Sequence, residues 1–148
     1  MTVERSFVES NRASTARIRA LAARLSDEEL RQPVGAHWTV AIALVHIAFW
    51  DRRVLHLLDI AERGGMGDIP SIDVSVNDLA LPFWAALPPR EAARLAVETS
   101  AALDARLEAY PPQMLERVYA GNPRWVQRGL HRDAHLEEID AALKVILK

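Results

Sequence analysis

The 148-residue chain contains no cysteine. Disulfides, thiolate metal ligands and a cysteine nucleophile are therefore excluded, and any thiol chemistry must use a thiol brought in from outside. The lack is also compatible with a reducing compartment. Long hydrophobic runs are missing too: no stretch reaches the ~18 apolar residues that a membrane span requires. The opening residues, Met1 to Ser10, have neither a basic n-region nor an apolar h-region. The chain is expected to be soluble, unexported and cytoplasmic, with no membrane partner. An excess of one charge is likewise absent, with 18 Lys and Arg against 20 Asp and Glu, a formal net charge of -2. That balance argues against a nucleic-acid partner, which calls for a basic face. What remains is an ordered globular composition, 50% hydrophobic and 26% charged, long enough for one domain (1–148) with a substantial core.

No strand run, internal repeat or low-complexity segment stands out, and four long helical patterns do. The first covers about residues 3–25, with Phe7, Ile18, Leu21 and Leu25 on one side. Ser26-Asp27-Glu28-Glu29 reads as a capping box opening a short turn that ends near Pro33. The second helix starts near Thr39 and stops at Gly64-Gly65, with Ile42, Val45, Phe49, Leu57 and Ile60 at helical spacing. A long connection over 64–75 follows. The third region begins near Val76, breaks at Pro88-Pro89, resumes over Arg90–Ala109 and stops at Pro111-Pro112. A second long connection leads to Asn122-Pro123, a cap followed by a favoured first-turn residue. The last helix then runs to about Leu147, with Leu136, Ile139, Leu143 and Ile146 facing inward. The fold expected is all-α, a four-helix bundle with long connections.

Five histidines are present, and three stand in a suggestive arrangement. His131 and His135 are four apart, so one helix face presents both imidazoles. Such a pair arises readily by chance and also fits two surface histidines or a hydrogen-bonded core pair. His46 lies in the most apolar stretch, Val40–Trp50, where few hydrogen-bond partners are at hand. A lone histidine there is commonly a core residue, but a facing helix with two imidazoles turns it into a third ligand for one ion. His37, in the loop before the second helix, and His56, ten residues past His46, are weaker candidates.

Gly35-Ala36-His37-Trp38-Thr39-Val40-Ala41-Ile42-Ala43-Leu44-Val45-His46-Ile47-Ala48-Phe49-Trp50-Asp51 resembles the first motif of the DinB/YfiT-like metal-binding proteins. In that motif a tryptophan and Ser/Thr open helix two, and a ligand histidine follows about eight residues later. His131-Arg132-Asp133-Ala134-His135-Leu136-Glu137-Glu138-Ile139 resembles the second, with two ligand histidines on helix four. Within the superfamily the likeness is greatest to the metal-binding domain of mycothiol-dependent maleylpyruvate isomerase. Members often carry an acidic residue where this chain has Ala41-Ile42, a departure that bears on a helix cap and not on the ligands. The resemblance spans nearly the whole chain. It implies an up-down-down-up variant of the four-helix bundle, often a homodimer, binding zinc or alternatively nickel at His46, His131 and His135. It also implies transfer or isomerisation of a small electrophile with mycothiol, bacillithiol or glutathione. The isomerase carries a further C-terminal domain for which residues 1–148 hold no counterpart, which weakens transfer of that particular reaction.

Three imidazoles would hold a divalent ion with a position open for water or a thiol, whose pKa the ion lowers. Helical spacing adds surrounding candidates. Glu138 falls three residues after His135 and seven after His131, either beside the ligands or simply solvated; Glu137 points elsewhere. Arg128 and Arg124 precede His131 by one and two turns, and Arg53 follows His46 by seven. Each is a candidate for binding a carboxylate of substrate or cofactor, against an ordinary exposed arginine. Trp50 reads as core packing, and Trp38 and Trp125 as packing at the bundle end. Three functions stay open: a metal- and thiol-dependent transferase or isomerase, a non-catalytic metal- or ligand-binding protein, and a bundle with no metal.

Overall fold

Polar side chains interrupt the buried face of the first helix, and that pattern recurs in the helices around it. In the computed structural model, which describes residues 2–146, α1 (Ser6–Arg24) buries Phe7, then Asn11, Ser14 and Thr15, then Ile18 and Leu21. Ser26 and Glu29 form a reciprocal cap, each side chain accepting from the other's backbone N–H, and open the four-residue α2 (Asp27–Leu30). Two strands follow where only a turn was expected. β1 (Pro33–Val34) pairs antiparallel with β2 (Trp38–Thr39), Val34 opposite Trp38. At two residues each they are too short to show an alternating pattern. Gly35, at φ 68°, allows the tight reversal between them.

Thr39 ends β2 and caps α3 (Val40–Glu62), its Oγ1 accepting from Ile42 N at 3.1 Å. The first nine residues of α3, Val40–Ala48, are all buried. Phe49 and Ile60, expected inward, are only half buried. Past Gly64 (φ 83°) the connection makes one 3-10 turn, Met66–Asp68, and reaches α4 (Val76–Ala86). Pro89 and Pro112 open α5 (Pro89–Ala109) and α6 (Pro112–Gly121), positions where a missing N–H leaves no hydrogen bond unmade. α6 thus occupies what the sequence suggests is a connection.

The last helix, α7 (Gly129–Ile146), starts later than the Asn122-Pro123 pair suggests. Asn122 does cap, accepting from Arg124 N at 2.9 Å, but the turn it opens is the 3-10 segment Pro123–Trp125. Asn11 of α1 fixes the true start: its Nδ2 donates to Val126 O and its Oδ1 accepts from Gly129 N, both at 2.8 Å. A Cβ at Gly129 would meet Ser10 O at 3.1 Å, so glycine permits this close approach of α7 to α1. Leu136, Ile139 and Leu143 face the core; Leu147 and the side chain of Ile146 lie outside the described residues.

α1 packs on α5 and α7, and α3 packs on the same two helices. The apolar core between them falls into two parts. One holds Ile18, Leu44, Ile47, Ala96, Leu136 and Ile139; the other holds Phe7, Val54, Leu57, Leu103, Leu107 and Val126. Between them lie buried Asn11, Ser14 and Thr15 of α1, Asp51 of α3, Ser100 and Asp104 of α5, and Arg132 of α7. No helix among the described residues is long and apolar enough to cross a membrane.

Candidate metal centre

α3 and α7 pack together and bring three histidines to one place. His46 lies in the second turn of α3 and is buried; His131 and His135 are one turn apart near the start of α7. The His46 ring stands 5.2 Å from that of His131 and 4.4 Å from that of His135, and the last two are 4.8 Å apart. His46 Nε2 and His131 Nε2 are 3.3 Å apart, and one nitrogen from each of the three rings lies within 4.8 Å of the others. Aromatic walls close round them: Trp38 at 4.6 Å from His46 and 5.7 Å from His135, and Trp84 edge-on to His46 at 5.6 Å. Trp38 therefore packs on the histidines rather than on an end of the fold.

Burial dominates the protonation of these rings. It lowers His46 to a pKa of about 3, with the charge of His135 adding to the fall and Asn77 opposing it from nearby. Burial, then the Arg128 charge and the other two histidines, lower His131 to about 2. Both imidazoles are neutral at pH 7 and keep a lone pair for a ligand. His46 Nδ1 is buried without a hydrogen-bond partner, so the apolar pocket satisfies only part of the ring.

The arrangement fits a divalent ion of the zinc kind. Ligand nitrogens about 2.0–2.1 Å from a tetrahedral ion stand about 3.3–3.4 Å apart, and the His46–His131 nitrogens are at 3.3 Å. His37 and His56 are exposed and take no part. Glu138 Oε2 lies 3.4 Å from His135 Nδ1, whereas Glu137 turns away to Arg17 at 3.1 Å.

Arg53, Arg124 and Arg128 line one cavity of about 530 Å³, together with Trp50 and Trp125. No carboxylate side chain lines it, and neither Arg53 nor Arg124 makes an ion pair among the described residues. Arg53 donates from Nη2 to Pro70 O at 2.9 Å; burial first, and the positive charge of Arg128 second, hold its pKa below the ordinary value. Trp50 spans two environments, since it lines the cavity while its Nε1 donates to Asn77 Oδ1 at 2.9 Å. The histidines do not line the cavity. Arg128 joins the two regions: it lines the cavity, and its Nη2 lies 3.4 Å from His131 Nδ1. This arginine is buried, with Nε donating to Asp51 Oδ1 at 2.9 Å and Nη1 to Arg124 O at 3.1 Å.

Reading the sequence missed the ionic layer beneath the histidines. Arg132, fully buried, donates from Nε to Asp51 Oδ2 and from Nη1 to Asp104 Oδ1, both at 2.8 Å. Its Nη1 also reaches Asn11 O, Ser14 Oγ and Thr15 Oγ1 at 3.2 Å. Asp51 thus ties Arg128, just before α7, and Arg132, within it, to the helix that carries His46. A signal was present. Asp51 falls on the spacing of Leu44, Ile47, Val54 and Leu58, and Arg132 on that of Leu136, Ile139 and Leu143, so each charge sits on a core stripe.

The family model of the mycothiol maleylpyruvate isomerase N-terminal domain matches residues 11–142, and the chain belongs to that family. No curated protein and no solved structure matches it.

Proposed function

We propose that this member of the mycothiol maleylpyruvate isomerase N-terminal domain family binds one divalent ion through His46, His131 and His135. With a low-molecular-weight thiol, it then transfers to, or isomerises, a small electrophile. The supporting observation is the convergence of three imidazoles, two with ligating nitrogens at tetrahedral spacing. Zinc is the first candidate and nickel the second, since the Irving–Williams order favours later metals at nitrogen sites whatever the native ion. When bound, such an ion lowers the pKa of a coordinated water or thiol, so that a nucleophile exists at neutral pH.

The chain's own residues set the stage for that chemistry. Three neutral imidazoles leave the full dication charge available to an anionic thiolate. Glu138 accepts the Nδ1–H of His135, which fixes the tautomer and leaves Nε2 as the ligating nitrogen. Trp38 and Trp84 keep water from His46. Arg53, Arg124 and Arg128 hold a carboxylate of the thiol or the electrophile. The chain lacks cysteine, so the sulfur comes from mycothiol, bacillithiol or glutathione. That sulfur gives up its proton and adds to one carbon of an activated double bond, and in a transfer the neighbouring carbon, which receives the displaced electron pair, takes up a proton. In an isomerisation the neighbouring carbon instead keeps that electron pair as an enolate, the bond between the two carbons rotates, and the pair re-forms the double bond as the C–S electrons leave with sulfur, which recovers its proton.

The four long helices, on this reading, are an up-down-down-up bundle forming a single domain. The copies form a homodimer, and Leu79 and Phe83, one turn apart and exposed on α4, offer it an apolar face. One observation favours a second function, non-catalytic binding: the cavity wall does not include the histidines. Incubating metal-loaded protein with the three thiols and a panel of electrophiles separates the two. Conjugation or isomerisation that disappears in His46→Ala supports the enzyme; stoichiometric metal binding with no turnover of any pair supports the binding protein.

A further inference from the structure

Three arginines line the cavity of about 530 Å³, and their charges are not equally compensated. Arg128 shares Asp51 with Arg132, and Arg132 in turn reaches Asp104. Two guanidiniums thus meet two carboxylates, and the buried ionic layer is neutral as a whole. Arg53 and Arg124 stand outside it. Neither makes an ion pair among the described residues, and no carboxylate side chain lines the cavity. The cavity therefore carries two uncompensated positive charges. Both stand around Arg128: its charge adds to burial in lowering the pKa of Arg53, and its Nη1 donates to Arg124 O at 3.1 Å.

The remaining wall is flat and apolar. Trp50 is held by its Nε1 donating to Asn77 Oδ1 at 2.9 Å. A Cβ at Gly121 would meet the Trp125 ring at 2.5 Å and Met66 Cε at 3.0 Å, so the missing side chain lets Trp125 and Met66 close against the end of α6. Asn122, whose Oδ1 accepts from Arg124 N at 2.9 Å, keeps its Nδ2 as a further donor. An apolar lining with a few placed polar groups, at this volume, is the usual form of a small-molecule site.

We propose that the cavity binds a small phosphate monoester with a planar apolar body, independently of the metal centre. Such an ester carries about two negative charges at pH 7 and three acceptor oxygens, and guanidiniums pair with phosphate bidentately. One doubly charged head matches two free arginines gathered round a third, whereas a carboxylate answers only one of the two charges. The planar body lies against the indoles of Trp50 and Trp125. The histidines do not line the cavity, so the ester binds with or without an ion. A carboxylate of thiol or electrophile at the same arginines competes with it.

The test is calorimetric titration of the metal-free full chain near pH 7.5, above the second phosphate pKa of about 6. The probes are phenyl phosphate, inorganic phosphate, and phenyl sulfate, which has the shape of phenyl phosphate with one charge fewer. Phenyl phosphate is expected to bind roughly tenfold more tightly than phenyl sulfate, and to lose roughly tenfold in Arg124→Gln. Gly121→Ala, which displaces Trp125, should weaken phenyl phosphate and leave inorganic phosphate unchanged. Phenyl phosphate that does not bind, or binds no tighter than phenyl sulfate, overturns the proposal. So does affinity unmoved by Arg124→Gln, or a Gly121→Ala loss shared equally by inorganic phosphate. Arg124 is exposed and holds Arg128 through its backbone carbonyl, so Arg124→Gln keeps the surrounding contacts; should it not fold, the phosphate and sulfate affinities of the unaltered chain still decide. Failure here leaves the metal reading standing, and a chain that binds no zinc leaves this site standing.

Discussion

Two polar clusters share α3 and α7 and differ in how fully they are satisfied. In the ionic layer, Arg132 is met by Asp51, Asp104, Ser14, Thr15 and backbone carbonyls, partners drawn from the other three long helices. The histidine cluster has a 3.3 Å contact between two like nitrogens, a buried Nδ1 with no partner and a half-buried His131 facing a guanidinium. A satisfied buried cluster fixes how helices meet. An unsatisfied one, walled by tryptophan and touching a basic cavity only through Arg128, is a candidate for a ligand to complete. The layer is thus the scaffold and the histidines are the proposed site, although both lie within a few turns of each other.

Breaking the scaffold should have the largest effect. Arg132→Met leaves Asp51 and Asp104 without their shared buried partner and is expected to cost about 3–5 kcal/mol, read from urea denaturation of the metal-free protein. His131→Ala, by contrast, should cost the same protein roughly 1 kcal/mol, an ordinary value for a half-buried side chain. Equal losses from the two substitutions would erase the distinction.

Acidification should act on the histidines and so sharpen the difference. His46 and His131 titrate near pH 3 and 2 when folded and near 6.5 when unfolded. Below pH 6.5 the unfolded chain takes up protons that the folded chain does not, so stability falls as the pH drops toward 4. The slope is at most about 1.4 kcal/mol per pH unit for each histidine. Above pH 6.5 this contribution is complete. Urea midpoints of metal-free protein measured from pH 7.5 to 4 check it; a flat profile down to pH 5 contradicts neutral, buried rings.

Much of the layout was legible in the sequence, and the reasons show where legibility stops. Proline pairs and helical apolar spacing mark α3, α4 and α5 within a few residues. α6 was hidden because it is short, and its two prolines mimic the start of a loop. The start of α7 was misplaced because its cap, Asn11, comes from another helix 118 residues away, beyond the reach of local pattern. The three histidines stand out by spacing and by their likeness to a known motif. The ionic layer did not, since a charged residue is ordinarily read as surface, and Asp51 and Arg132 reveal themselves only as charges on core stripes. Trp38 at the histidines is likewise a tertiary fact, set by a two-residue strand.

The smallest effect concerns Glu138, at the outer edge of the histidine cluster. Glu138→Gln is expected to weaken zinc binding by roughly 10- to 100-fold while shifting metal-free stability by no more than about 0.5 kcal/mol. Competition titration and urea denaturation of one preparation give both numbers. A stability loss without an affinity loss would assign Glu138 to the scaffold instead.

Metal content tests the central claim most directly, on protein purified without a nickel column and analysed by elemental mass spectrometry beside His46→Ala. We expect one divalent ion per chain in the parent, a fall in melting temperature on chelation, and no bound ion in the folded variant. A parent protein that retains no ion when offered zinc or nickel, with a melting temperature unmoved by chelator, would contradict the account.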